Sequence, residues 1–148
     1  CLAKGIGAGF PMGAFVANKK FAAAMEPGDH GSTYGGNPMA GQACRTVFKI
    51  LEDTKMIDHV QDISEYLIEK LDDLQEEFPC IKERRGLGLM IGLEFDKPVK
   101  DIVKTCLDLG LIVVTAGPHV VRMLPPFITN EKDVDQAIAI LKEAIEKN

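Results

Sequence analysis

Apolar residues recur along this chain at two periods, and the changes of period mark its elements. Val60, Ile63, Leu67, Leu71, Leu74 and Phe78 follow one another at spacings of three and four. That spacing puts them on one face of a long helix, which Pro79 ends. Val134, Ile138, Leu141 and Ile145 repeat the pattern near the C-terminus, predicting a last helix with Thr129 or Asn130 as its cap. Between these helices the pattern shortens. CIKERRG and LGLMIGLEF predict two strands around Gly86 to Gly88, and KPVKDIVKTCLDLG predicts a helix closed by Gly110. LIVVTAG and HVVRMLPP predict two further strands joined by a turn at Gly117-Pro118.

The N-terminal third is less periodic and richer in turn formers. GAFVAN reads as a short buried strand and KKFAAAM as a short helix ending before Pro27-Gly28. EPGDHGSTYGGNP is a loop whose Gly, Ser, Thr and Pro content shapes backbone. A helix follows from Pro38 to about Asp53, with Asn37 as its cap and Pro38 in its first turn. The whole is a mixed α/β segment, a small sheet covered by helices. A seam falls after residue 37, between a glycine-rich, catalytic-looking part (1–37) and a compact sheet-and-helix module (38–148).

Composition narrows the function classes. The chain has 148 residues, 46% hydrophobic and 26% charged, with a net charge of -5. These are globular proportions with enough length for one core. The acidic balance and the lack of a long basic run argue against nucleic acid and anionic membrane as partners. Cys1, Cys44, Cys80 and Cys106 are far apart with no C-x-x-C pair, which argues against a zinc site or a disulfide scaffold and makes a reducing cytoplasm the expected compartment.

Three places could carry chemistry. In LAKGIGAGFPMGA, Lys4 stands beside Leu2 and Ala3; apolar neighbours that desolvate a lysine lower its pKa and make it a nucleophile toward carbonyls. A solvated lysine beside a flexible loop is the alternative, and the glycine spacing is not the G-x-G-x-x-G of a dinucleotide site. In HGSTYGGNP, the hydroxyls of Ser32 and Thr33 with nearby backbone N–H groups could cradle a phosphate, or the segment is an ordinary capped loop. His30 is a possible base but more ordinarily a solvated residue. Arg122 lies in the apolar HVVRMLPPF, where a guanidinium calls for a carboxylate or phosphate partner. A salt bridge to Glu83 or Glu94, or a side chain turned to solvent, would serve equally. Arg84 and Arg85 read mainly as surface.

Together, LAKGIGAGFPMGA, HGSTYGGNPMAG, RRGLGLMIGLEF and VVRMLPPF, in this order and separation, closely resemble the class III (ornithine-type) aminotransferases, pyridoxal-phosphate enzymes of fold type I. GLIVVTAGPHVVRMLPPFIT is further similar to the acetylornithine branch. The resemblance implies that Lys4 binds pyridoxal 5'-phosphate as an internal aldimine and then moves the proton of the reacting carbon. It implies that Thr33 contacts the cofactor phosphate of a neighbouring subunit in a homodimer, that Ser32 lies close to the substrate, and that Arg122 holds the substrate α-carboxylate. The activity implied is transamination of N-acetylornithine with 2-oxoglutarate in arginine biosynthesis. Ornithine, succinylornithine or 4-aminobutyrate are alternative donors, and a non-catalytic interaction module is a further one. Residues 1–37 would then be the end of the large cofactor-binding domain, and 38–148 a linking helix and the C-terminal small domain. The family's acidic partner of the pyridine nitrogen, its stacking aromatic residue and its own-subunit phosphate loop all precede the lysine. The expectation is a C-terminal portion of a longer enzyme, not competent alone, with its first 30 or so residues mobile or paired with another copy.

Overall fold

The computed structural model describes residues 1–148, which form two compact units, Cys1–Met56 and Ile57–Asn148. In the first, β1 (Leu2–Ala3) runs into a 3-10 turn (Lys4–Gly7), and β2 (Gly13–Ala14) returns to pair antiparallel with β1, Leu2 opposite Ala14. Helix α1 is short (Lys19–Ala22), capped where the Asn18 side chain accepts from the Phe21 amide at 3.1 Å. Helix α2 (Pro38–Asp53) starts where the sequence predicts it. The Asn37 side chain accepts from the amides of Met39 (2.8 Å) and Ala40 (3.4 Å), and Pro38 occupies a position that needs no N–H.

The predicted buried strand over GAFVAN is corrected. Only Gly13–Ala14 joins a ladder, and Phe15 and Val16 are 52% and 83% exposed. A strand persists only where a neighbour takes up its N–H and C=O groups, and within this unit Leu2–Ala3 is the single partner.

The second unit is built around an antiparallel sheet ordered β3-β4-β6-β5, with β3 Ile81–Leu87, β4 Met90–Phe95, β5 Val114–Thr115 and β6 Val120–Met123. Strands β3 and β4 form a hairpin closed by Gly88–Leu89, Leu87 opposite Met90. Gly86 has φ +146°, and a Cβ there would lie 2.1 Å from the Met90 carbonyl oxygen, so no other residue fits. Ile91, Leu93 and Phe95 from β4 and Val121 and Met123 from β6 point to one face. They form a single cluster with Ile63, Leu67, Leu71 and Leu74 of α3 (Met56–Glu77), Ile102 and Cys106 of α4 (Lys100–Asp108), and Val134, Leu141 and Ile145 of α5 (Glu131–Glu146).

Two strands are shorter than their apolar runs. Residues 111–113 are not in β5, because the Leu111 amide is spent on the carbonyl of Cys106 (2.8 Å) at the end of α4. Strand β6 stops at Met123, since Pro125 and Pro126 have no N–H to give a ladder. Of the two candidate caps for the last helix, Asn130 is the one used. Its side chain accepts from the amides of Lys132 and Asp133, and the Asp133 carboxylate accepts in return from the Asn130 amide at 3.0 Å.

Candidate active site

In the first unit, Lys4 opens the turn that leaves β1, and its backbone is left-handed, φ 56°. That conformation is uncommon for a residue with a side chain, and such departures concentrate where a side chain must be aimed. Lys4 lines a cavity of about 590 Å³ with Ala3, Gly5, Gly9, Phe10 and Met12. A Cβ added at Gly5 or Gly9 would meet no protein atom within 4 Å, so both glycines leave empty the space a side chain would fill beside the amine. Of the two settings open to Lys4, the structure shows the solvated one: Leu2, Ala3 and Lys4 are all exposed, Leu2 at 43%. A two-residue strand has too little area to desolvate an ammonium group.

Ser32 lines a second cavity of about 570 Å³, with Pro11, Met12, Tyr34 and Asn37 among its walls. The loop between α1 and α2 is held by local backbone bonds, from the Gly35 amide to the Ser32 carbonyl (3.4 Å) and from the Asn37 amide to the Tyr34 carbonyl (3.2 Å). Thr33 is exposed, outside that cavity's wall. His30 has an edge-on contact with Phe15, ring centroids 6.2 Å apart.

In the second unit, Arg122 sits in the middle of β6, opposite Gly92 on β4 and Val114 on β5. Its apolar neighbours in sequence do not enclose it. Val121 and Met123 turn into the core, while the alternation of a strand puts Arg122 on the opposite, open face. There it lines a cavity of about 280 Å³ with Arg85, Gly86, Gly92 and Ala116. The acidic residues that could have neutralised it are engaged elsewhere, since the Arg85 guanidinium donates to both Glu83, at 2.9 Å, and Glu94. These carboxylates raise the Arg85 pKa, Glu94 most strongly through its hydrogen bond. Arg122 therefore makes no ion pair with another residue of this chain.

Arg84 is a second correction. Rather than lying on the surface, its side chain is 23% exposed and donates twice to Asp72 of α3, from Nε at 2.5 Å and from its terminal nitrogen at 3.1 Å. Strand alternation turns Arg84 toward the helices and Arg85 away from them. The signal available beforehand was the pair of adjacent arginines in a strand, which must face opposite ways.

Within one unit, then, the chain presents an amine in a glycine-lined cavity and two hydroxyls on a turn-rich loop; within the other, it presents an unpaired guanidinium on an open sheet face. Residues 1–145 match the model of the aminotransferase class-III family, and the chain belongs to that family. It is 43% identical over 146 residues to the acetylornithine aminotransferase of Clostridium acetobutylicum, covering 98% of this chain and 38% of that relative. It is 42% identical over 142 residues to that of Methanocaldococcus jannaschii, covering 96% and 36%. Among solved structures it is similar to the ornithine delta-aminotransferase of Plasmodium falciparum, with TM-score 0.88, 28% identity, and coverage of 96% of this chain and 38% of that one. The chain thus spans less than two-fifths of the length of the relatives it matches.

Proposed function

We propose that this chain contributes the lysine, a phosphate contact and the carboxylate-binding arginine to a pyridoxal-phosphate-dependent aminotransferase that moves the distal amino group of N-acetylornithine to 2-oxoglutarate in arginine biosynthesis. The observation that carries the proposal is the Lys4 amine, set by a left-handed backbone at a cavity beside Gly5 and Gly9, in a chain that matches the class-III family from residue 1 to 145. Space without side chains next to a primary amine fits a flat ring bearing an aldehyde, and the free hydroxyl of Thr33 fits its phosphate. When bound, pyridoxal phosphate supplies an electron-poor ring that takes up the electron pair of the substrate C–H bond.

The chain's own residues have separable tasks. Lys4 would hold the cofactor through its amine, and Nζ, when free, would be the base that takes the proton from the donor's amine-bearing carbon and carries it to the cofactor. Arg122 offers two parallel N–H donors to the substrate α-carboxylate, fixing the distance from that end to the reacting carbon. Ser32 lies close to the substrate, and Thr33 serves the phosphate across the interface of a homodimer, so each site is shared. Residues 1–37 correspond to the end of the large cofactor-binding domain, and 38–148 to the linking helix and the small domain. The cytoplasm is the proposed compartment, a reading supported by four unpaired thiols. No helix is long and apolar enough to cross a membrane.

A second reading, ornithine as donor, is favoured by the structural likeness to the Plasmodium falciparum ornithine delta-aminotransferase. Both are tested in the full-length polypeptide with pyridoxal phosphate added. Glutamate should form from 2-oxoglutarate with N-acetylornithine, faster than with ornithine. Lys4→Ala should lower the rate by at least about a hundredfold, the scale of a lost acid-base group. Borohydride should fix the cofactor covalently to the native chain but not to the variant. Cofactor fixation in Lys4→Ala, or an unchanged rate, would overturn the assignment; preference for ornithine would establish the second reading.

A further inference from the structure

Gly7 is the one buried residue of Cys1–Met56, and it closes the turn that Lys4 opens. Its φ is not positive, unlike that of Gly9. The backbone there would accept a side chain, so the need for glycine is one of space rather than conformation. What takes up that space is Met12. A Cβ on Gly7 would lie 2.9 Å from Met12 Cγ and 3.3 Å from Met12 Sδ, with Phe10 Cβ next at 3.7 Å. Met12 is half-buried and, with Phe10 and Pro11, lines both the cavity beside Lys4 and the cavity beside Ser32. An unbranched thioether suits a seat of this kind, because it fills an irregular gap closely.

We propose that Met12, seated on Gly7, is a positioning residue for Lys4: it holds the turn that carries the amine and so sets where Nζ stands. The inference rests on the reading of Lys4 as the reacting amine. Hydrogen bonds from the Ala8 amide to the Gly5 carbonyl (3.1 Å) and from the Phe10 amide to the Gly7 carbonyl (2.9 Å) fold the segment back, so that Met12 reaches Gly7. Those bonds give the turn its shape, and the Gly7–Met12 contact gives it a place to rest. A side chain at position 7 would have to move either Met12 or the turn, since unbonded carbon atoms settle at about 3.5–4.0 Å. Because Lys4 and Gly7 are the two ends of one short turn, a displacement at one is passed to the other. A misplaced base slows proton transfer without weakening the hold on either substrate, so the cost falls on kcat and not on KM.

The test uses the full-length holoenzyme and the variants Gly7→Ala, Met12→Ala and Gly7→Ala/Met12→Ala. Gly7→Ala should lower kcat about tenfold, within the hundredfold that a misplacement of about 1 Å can cost, with KM for the amino donor and for 2-oxoglutarate unchanged. Met12→Ala should also lower kcat, because the turn loses its seat. In the double variant the new methyl group no longer meets Met12 Cγ, so it should be no slower than Met12→Ala alone. Losses that multiply in the double variant, as independent sites require, overturn the proposal, and so does a change confined to KM. Met12→Ala introduces no clash, so an unmoved kcat in that variant overturns the proposal even if Gly7→Ala fails to fold. A second readout is independent of turnover. In the enzyme freed of cofactor, the methyl resonance of Met12 should shift in Gly7→Ala, and an unmoved resonance would show that the two residues are not in contact. Lys4→Ala in the same assay separates the two ways of failing. A native rate there removes the reading of Lys4, whereas a lost rate there with multiplying losses at positions 7 and 12 removes only the role of Met12.

Discussion

The two units of this chain differ in how they hold their side chains. In Cys1–Met56, the unit that carries Lys4, Ser32 and Thr33, Gly7 is the single buried residue, and Phe15, Val16, Phe21, Tyr34, Met39 and Phe48 are all at least 50% exposed. In Ile57–Asn148, twenty hydrophobic residues are buried, ten of the larger side chains below 2% exposure. The first unit holds its candidate residues without a core of its own. Its side chains are aimed by short-range devices, namely a left-handed turn, a two-residue ladder and an asparagine cap. The second unit aims Arg122 by long-range ones, since its position follows from the register of four strands locked onto three helices. Local devices hold a few tenths to about 2 kcal/mol each, while a core holds its strands in register cooperatively.

The largest expected effect sharpens this contrast directly. Phe95→Ala removes a ring that is 2% exposed at the centre of the second unit, and should cost about 3–5 kcal/mol. Phe15→Ala, at 52% exposure in the first unit, should change stability by no more than about 0.5 kcal/mol in this chain. Urea unfolding of the two variants measures both. Comparable losses would mean that the first unit has a cooperative core after all.

A smaller effect, confined to alkaline pH, probes the same core. Cys106 is fully buried on α4, and burial pushes its thiol up to about 11 from the usual 9.0. The sign follows from proton binding. Between pH 9 and 11 the folded chain retains a proton that the unfolded chain has lost, so stability falls as pH rises through that window and is unaffected below it. The loss should reach at most about 3 kcal/mol above pH 11, and Cys106→Ala should abolish that part of the pH dependence. Exposed Cys1 should react with a thiol reagent at once in the native chain, and Cys106 only on unfolding. Rapid labelling of Cys106 at pH 8 would show that its burial is not maintained.

Legibility from sequence followed the same division. Helices α3 and α5 were readable because a face that packs on a core repeats every three or four residues. The hairpin of β3 and β4 was readable because Gly86 and Gly88 punctuate it. Helix α2 was readable from its cap, not from burial. GAFVAN misled because apolar residues predict a strand only if a partner exists to pair with it, and pairing is not a property of the segment. For Arg122 the sequence left a partnered guanidinium and a side chain turned to solvent equally open. Its neighbours at i−1 and i+1 are apolar because they face the core, and that alternation is what leaves Arg122 outside. The capture of Glu83 and Glu94 by Arg85 was beyond sequence, since it depends on which of two arginines the register brings closer. For Lys4, sequence named the residue and left burial and solvation open, and the structure shows exposure at a cavity lined in part by Gly5 and Gly9.

The smallest effect compares like with like, an asparagine cap in each unit. Asn130 accepts from two amides at the start of α5, and Asn37 does the same at the start of α2. Either replaced by alanine loses an acceptor worth about 1 kcal/mol, so any difference in outcome reports what each helix is attached to. Helix α5 buries Val134, Leu141, Ala144 and Ile145 in the common cluster. It cannot fray without disturbing that core, and Asn130→Ala should lower the stability of the cooperative transition by the full amount. Helix α2 buries no residue, so its first turn can open alone. Asn37→Ala should leave the transition in place and appear instead as faster hydrogen exchange at Met39 and Ala40. Equal shifts of the transition in both variants would break the contrast, because they would require α2 to unfold together with the second unit's core.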